Sequence, residues 1–534
     1  MEDADTDAID PAEELEATEL VFALVAAVGT DIATVSDRLE IELRDEYQYS
    51  VQHIRLSELL APVAQQDFST MKDDERLASA MDAGNELRRE ADRDDVLALH
   101  AVSEIARLRK DLLGSDAPRP SRLAWILRSL KTPSELETLR EIYGSRLVVI
   151  AAYSPKEVML ENLNREIASS RKTENRDDWA HLPEDLIERD EKEGGKGGQD
   201  VSGTFYRADY FIQGYSGEVV EEELPRTLEI VFGSPFVTPT RDEHAQFLAA
   251  GAALRSAEFG RQVGAVIATK SGSVVAVGTN EVPTAGGGSH WAEDGIGNRN
   301  YEVSKVDTNS QHIQELCQSM AKRIAEDVLG RQRMAEDGEA GNHHESKDSE
   351  EVEEQIGQAV FNGLWDGGLK DLTEFGRATH AEMNAILDAA LRGVPVLGTT
   401  LYTTTFPCHN CARHIIGAGI GKVVFIEPYT KSRAEQLHDD SAIIGAVEDD
   451  GEKVRFQPFV GVAPRRYLEM FDAGERERQG YTPRKDEMGQ KRKFEKRLAL
   501  PVLADRAAPE FAPRPAAYRI KEDLVMNVLA EMLE

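Results

Sequence analysis

Apolar and polar positions divide the chain into continuous apolar runs that alternate with stretches of helical period. LVFALVA, Leu20 to Ala26, has the uninterrupted apolar character of a strand buried on both faces. Gly29, Thr30 and Asp31 follow as a tight turn and N-cap, and IATVSDRLEIEL then repeats its apolar positions at helical spacing. The charged helical stretch PSELETLREIYG leads into a second buried run, RLVVIAAY, Arg146 to Tyr153. Strands alternating with helices predict a parallel, doubly wound sheet. Between Glu184 and Gly203 the segment EDLIERDEKEGGKGGQDVSG loses periodicity and gains charge and glycine, which predicts a mobile loop before the structured stretch LPRTLEIVFGSPF.

The second half repeats the alternation with a different opening. DEHAQFLAAGAALRSAEFG reads as a helix, and QVGAVIA and SVVAVG as two short strands in hairpin succession. An insertion of about residues 283–372 follows. It contains RMAEDGEAGNHHESKDSEEVEEQ, whose acidic low complexity predicts a disordered or solvated surface loop and makes His343 and His344 a solvated pair. Next come a helix opening near His380, a strand TTLYTTT, a helix opening at Pro407, a strand KVVFI, a short helix at Ser432 to Leu437 and a strand KVRFQPF. The expected fold class is α/β, with two three-layer α/β domains. The expected divisions are an acidic disordered tail at 1–18, a first domain at 19–235, a second at 236–475 and a C-terminal extension at 476–534. In the extension, KEDLVMNVLAEMLE reads as an amphipathic helix that docks on a partner subunit. No internal repeat is visible.

Length and charge narrow the function classes. At 534 residues the chain exceeds what one core supports, so two domains are the default. A net charge of -35 repels polyanions over the surface as a whole and disfavours sequence-independent clamping of DNA or RNA, while leaving room for a small nucleotide in a local basic pocket. Adaptation to high salt would produce the same acidic excess. The longest apolar runs cannot span a bilayer, so no membrane association is expected. The acidic start MEDADTDAIDPAEELEATE lacks the basic and apolar regions of an export signal, and the expected location is cytoplasmic.

The chain has only 3 cysteines, two of them in Pro407-Cys408-His409-Asn410-Cys411, which favours metal ligation over a disulfide framework. Upstream stands His380-Ala381-Glu382. Together these form H-x-E…P-C-x-x-C. One imidazole (His380) and two thiolates (Cys408, Cys411) fill three of zinc's four tetrahedral positions and leave one for water, whose pKa the zinc lowers. Glu382, two residues from His380, points beside the metal and moves protons. Placing Pro407 at the first helical position puts Cys408 and Cys411 on one helical face, at a terminus that favours thiolates. Taken alone, CxxC suits a redox pair or half a zinc ribbon, and HAE arises by chance within helices; the ordered combination favours catalysis. Cys317 reads as an ordinary buried helix residue, and His409 as a surface side chain.

On these residues, about Asp242 to Tyr467 resembles the deoxycytidylate deaminase branch of the cytidine deaminase superfamily. ALRSAEFGRQVGAVIATKSGSVVAVGTNEVP is similar to that family's opening helix and first two strands, and HAEMNAI and TTTFPCHNCARHIIGAGIGKVVF to its zinc segments. The resemblance implies that Asn280, in GTNEVP, binds the sugar hydroxyl and that Tyr429, in EPYTKS, lies near the base. As bare residues they also suit a turn and core packing. Nearly the full chain resembles the bacterial anti-phage dCTP deaminases, in segments LVAAVGTD, LRSLKTPSELETLREIYG, RADYFIQ and LEIVFGSPFVTPTRDEHAQFLA. That implies an N-terminal P-loop kinase-like parallel sheet, a C-terminal cytidine deaminase-like mixed sheet, zinc as cofactor, and deamination of free deoxycytidine nucleotides, dCTP and dCMP. It also implies a homo-oligomer and, in some members, restraint by a small regulatory RNA. The N-terminal loop departs from the pattern. AAVGTD lacks the lysine and hydroxyl of G-x-x-x-x-G-K-S/T, so Gly29 and Thr30 are expected to hold a regulatory nucleotide through backbone amides, or to serve structure, without kinase activity.

Arg255 and Arg261 are the candidates for holding substrate phosphates, with solvation or ion pairing as the alternative. Two other functions share the motif. A polynucleotide editor needs a basic, aromatic-studded channel, and no such run lies near the motif. A non-catalytic zinc-stabilised regulator has no need of Glu382.

Overall fold

The computed structural model describes residues 19–64, 67–113, 122–171, 179–295, 297–303, 305–336, 347–372, 375–429, 432–445, 451–478, 481, 483–486, 488–499, 501–502, 521–522, 524–526 and 528–529. The opening apolar run forms β1 (Glu19–Val25), buried along its whole length as a central parallel strand must be. It pairs in parallel with β3 (Leu123–Arg128) on one side and β4 (Leu147–Tyr153) on the other. With β2 (Ser50–Arg55) and β5 (Tyr210–Gln213) outside them, the parallel order is β2-β3-β1-β4-β5. Helices α1 (Ile32–Asp45), α2 (Pro133–Tyr143) and α3 (Leu182–Glu191) belong to this unit. The start of α2 is set by a capping box between Thr132 and Glu135 with Pro133 in the first turn.

Two expectations for this unit are corrected. The predicted mobile loop at 184–203 is mostly ordered: α3 occupies much of it, Val201–Phe205 forms a further helical turn, and Asp190 is fully buried. Charge on a short helix had masked its apolar positions Leu186 and Ile187. The sheet is also not purely parallel. β12 (Gly461–Val462), from the region assigned to the second domain, adds antiparallel to β5. That crossing is held by Glu243, buried in the capping box that opens a helix with Thr240 at its N-cap. Its carboxylate takes Val462 N at 2.9 Å and Arg226 Nη2 at 2.7 Å, from α4 (Gly217–Val231).

The second sheet has the order β10-β11-β9-β8-β6-β7. β6 (Gly264–Ala268) and β7 (Val274–Thr279) form the expected hairpin, β8 (Thr400–Thr405) joins β6 antiparallel, and β9 (Lys422–Glu427), β11 (Val454–Pro458) and β10 (Ala442–Ile444) continue in parallel. Two glycines let helices lie directly on the hairpin. A Cβ on Gly264 would run into the Ala249 carbonyl of α5 (Arg241–Ala253), and one on Gly278 would run into the Ala381 carbonyl.

The acidic stretch at 333–355, expected as a disordered or solvated loop, is helical at 333–336 and 347–355, while 337–346 lie outside the described residues. α6 (Thr308–Glu336) and α7 (Lys347–Asp366) pack on each other, and Ile313, Cys317, Ala321, Ala325 and Leu329 bury one stripe of α6 at four-residue spacing. Cys317 is buried in a helix as expected. His343 and His344 lie outside the described residues, as does the tail at 1–18. The C-terminal segment also departs from expectation, since it docks on its own chain. Arg109 is buried against Glu522, with Nη1 to Oε2 at 2.7 Å, and against Glu19 at 2.8 Å; Tyr143 Oη donates to Glu522 at 3.0 Å. Among the described residues no helix is long and apolar enough to cross a membrane.

A methyl group at residue 278 must push β7 away from the helix that follows His380. Gly278→Ala is expected to cost about 1–3 kcal/mol in denaturant unfolding and to lower bound metal; an unchanged midpoint with full metal content contradicts this packing.

Candidate metal centre and active site

Two helix beginnings build the site. His380 is the N-cap of α8 (Ala381–Leu391), with extended backbone at φ -63°, ψ 151°, and Cys408 is the N-cap of α9 (His409–Gly417), at φ -65°, ψ 163°. Pro407 therefore precedes the cap, and Cys408 and Cys411 do not share a helical face as the sequence spacing suggested. Extended backbone at both caps turns His380 and Cys408 out of their helices, and Cys411 meets them from the first turn of α9.

His380 Nδ1 lies 3.3 Å from Cys408 Sγ and 3.4 Å from Cys411 Sγ. The three ligand atoms lie within 4.8 Å of one another. Tetrahedral zinc with its usual N and S bond lengths needs N···S separations of about 3.6 Å, so this donor set fits the ion after shifts of a few tenths of an ångström. The hydrogen bond from Cys411 and the facing His380 hold the Cys408 thiol down to about 4, while Cys411 is pushed far above its ordinary range. The Cys408 sulfur in turn raises His380 to about 9. The cluster is thus a thiolate beside an imidazolium, ready to exchange protons for a cation.

Glu382 follows in the first turn of α8, 4% exposed, with Oε2 3.5 Å from Cys411 Sγ. Burial raises its carboxyl pKa. The structure thus brings His380, Cys408, Cys411 and Glu382 together. His409 is half-buried, a correction to its reading as a surface side chain, and the metal-capable group does not include it.

The other sequence candidates are engaged with partners of their own. Both ends of the Asn280 amide are used within its own hairpin: Oδ1 accepts from Val263 N at 2.7 Å and Nδ2 donates to Arg261 O at 2.8 Å. Arg261 pairs with Glu427 at 3.1 Å, and its guanidinium lies 5.9 Å from the Tyr429 ring centroid. Arg255 stacks on Trp291 at 3.7 Å and donates to the carbonyls of Ser289 and His290. Sequence reading missed the pair Glu281–Arg299, buried at 2.5 Å; a glutamate two residues past an apolar strand was the only signal of it. Glu281 also bridges through its backbone to Thr379, the residue before His380, with N to O distances of 3.2 and 3.1 Å.

Gly29 and Thr30 belong to the other sheet and take no part in this cluster. They stand past the carboxyl end of β1, beside β4, where the chain's connections diverge to opposite sides and open α/β sheets commonly bind ligands. Here an internal carboxylate occupies the loop. Val28 N donates to Asp190 Oδ2 at 2.7 Å, and Lys131 Nζ holds the same carboxylate at 2.8 and 3.0 Å. Gly29, at φ 87°, presses against Met159, and its carbonyl accepts from Asn162 at 2.9 Å.

Comparison with known proteins agrees with the geometry of the second unit. Residues 239–427 match the family described as "Cytidine and deoxycytidylate deaminase zinc-binding region". ComE operon protein 2 of Bacillus subtilis (strain 168) is 43% identical over 68 residues, which are 12% of this chain and 36% of that protein. The deoxycytidylate deaminase of Enterobacteria phage T2 is 48% identical over 54 residues, 10% of this chain and 29% of that protein. The Mus musculus deoxycytidylate deaminase is 34% identical over 107 residues, 18% of this chain and 55% of that protein. The chain thus spans between 29% and 55% of these relatives' lengths. A crystal structure of dCMP deaminase from the cyanophage S-TIM5 in apo form aligns with 42% of this chain and 100% of its own, at 16% identity and a TM-score of 0.20. The similarity in sequence thus lies in residues 239–427, the stretch that holds His380, Glu382, Cys408 and Cys411.

Metal entry must displace the proton on His380 and the one on Cys411, so about two protons are released at pH 7.5. Apparent affinity then falls as pH drops below about 9, because the imidazolium competes with the metal. Calorimetry in buffers of different ionisation enthalpy reads the number; release of none contradicts the protonation pattern. In the first unit, Asp190→Ala strips Lys131 and Val28 N of their shared acceptor and is expected to cost about 2–3 kcal/mol. An unaltered unfolding midpoint contradicts that role.

Proposed function

We propose that this protein is a zinc-dependent deaminase of free deoxycytidine nucleotides, converting dCTP or dCMP to the uracil form and ammonia. The observation that carries the reading is the convergence of His380, Cys408 and Cys411 with the buried Glu382 beside them. His380, Cys408 and Cys411 hold the ion and leave one position open; zinc bound there supplies a Lewis acid that makes water nucleophilic near neutral pH.

Glu382 does the proton work. A water oxygen bonds to C4 of the cytosine ring while Glu382 takes its proton and passes it to ring N3; a second transfer protonates the amine, whose C–N bond then breaks to release ammonia. Burial suits Glu382 to this task, because raising its carboxyl pKa favours the protonated form it reaches on taking the proton from water. Its own burial keeps the exchange away from bulk water.

The choice of free nucleotides over polynucleotides is supported by the charge of -35, which opposes the approach of a long polyanion. The full-length resemblance to anti-phage dCTP deaminases supports the triphosphate as a substrate and removal of cytosine deoxynucleotides during phage replication as the biological role. In that reading the first unit is a degenerate nucleotide fold that keeps its architecture and fills its anion position with Asp190.

Incubation of the zinc-loaded protein with dCTP, dCMP, cytidine and single-stranded DNA, followed by chromatography for uracil products, tests the reading. Product from the free deoxynucleotides is expected, and product from DNA alone contradicts it. Glu382→Gln should retain metal and fold while losing about 100- to 10,000-fold in turnover; a near-normal rate removes Glu382 from the mechanism.

A further inference from the structure

The loop between α5 and β6 carries a second acidic side chain that this chemistry does not use. Glu258 is half-buried, and its Oε2 accepts from Asn300 Nδ2 at 3.1 Å. Its Oε1 is buried and meets no donor among the described residues. A carboxylate oxygen withdrawn from water without a partner is costly, and such atoms in folded proteins commonly await a ligand.

The position of Glu258 is well determined. Ser256 Oγ donates to Asn280 O at 2.8 Å and Ala257 N to Glu281 Oε2 at 3.2 Å, which ties the loop to the end of β7. From there the backbone bridge to Thr379 leads directly to His380. Ala257 N bonds Glu281, and Glu281 bridges to Thr379, so the open acceptor stands on a loop joined to the segment that leads into His380.

The groups of a deoxycytidine nucleotide can be assigned by elimination. An anionic phosphate is repelled by a carboxylate, and the reacting edge of the base is engaged by Glu382. The sugar of a deoxynucleotide offers one neutral donor, its 3′-hydroxyl. Asn280, the residue expected to bind it, accepts from Val263 N and donates to Arg261 O, whereas Glu258 Oε1 has no partner among the described residues.

We propose that Glu258 is the residue that recognises the nucleotide's sugar, its Oε1 accepting from the 3′-hydroxyl while Asn300 orients the carboxylate. This rests on the deaminase reading above. Asn280 then acts as a positioning residue that braces the loop on which Glu258 stands.

The test compares dCMP with 2′,3′-dideoxycytidine monophosphate as substrates for the zinc-loaded full-length protein, and dUMP with its dideoxy counterpart in equilibrium binding. A site built to bond a hydroxyl rejects the analogue lacking it, so the wild type is expected to prefer dCMP by about 100-fold or more in kcat/KM. Glu258→Ala should reduce that ratio to within about 3-fold, while Glu258→Gln, which keeps an acceptor oxygen, should retain a ratio of at least about 10-fold. If Glu258→Ala fails to hold zinc, Glu258→Asp, shorter by one methylene, must lose at least about 10-fold of the ratio. A wild-type ratio near one, or a Glu258→Ala ratio equal to the wild type's, overturns the assignment. No turnover of any cytosine nucleotide by the zinc-loaded wild type instead overturns the deaminase reading on which it rests.

Discussion

The site depends on two helices beginning at the same point in space. An N-cap residue is the last whose backbone is still extended, so its side chain can leave the helix axis while its carbonyl starts the helix. His380 and Cys408 both occupy that position, and their helices are held at the required separation by the sheet beneath them. The close approach is possible because Gly278 lets β7 touch the backbone of α8, and Gly264 repeats the device for α5 on β6. Backbone contact at Gly278 therefore fixes how closely the helix that begins at His380 lies on the sheet.

The remainder of the molecule extends this rigidity. Glu243 caps α5, pairs with Arg226 of α4 and takes the amide of Val462, so one buried carboxylate links the helix beneath the metal site to the edge of the other sheet. Arg109 does the same for the far end of the chain through Glu19 and Glu522. In each case a buried charge is matched and its remaining valences are bonded, the condition under which such pairs persist. In the first unit the glycine turn after β1 is closed by the buried Asp190 carboxylate, which Val28 N and Lys131 share.

Much of this was legible in the chain. The apolar runs of β1 and β4, the period of α1 and α2 and the hairpin β6–β7 follow from local pattern. The metal cluster was readable because H-x-E and P-C-x-x-C are short, ordered and chemically constrained. What escaped is non-local or masked by charge. Acidic residues hid α3 and the ends of α6 and α7, although Ile313, Cys317, Ala321 and Ala325 carry a helical stripe. No local signal tells that Gly461 and Val462 join the first sheet, or that Glu522 reaches Arg109 across more than 400 residues. The amide of Asn280 bonds backbone partners 17 and 19 residues away in sequence, which only the folded hairpin brings to it.

The most direct measurement is zinc X-ray absorption on the full-length protein with and without a bound cytosine nucleotide. The account predicts two sulfur atoms at about 2.3 Å and two light atoms at about 2.0 Å, one of them a single imidazole and the other exchangeable with solvent or ligand. A first shell closed by four protein atoms, unchanged when nucleotide is added, would contradict it.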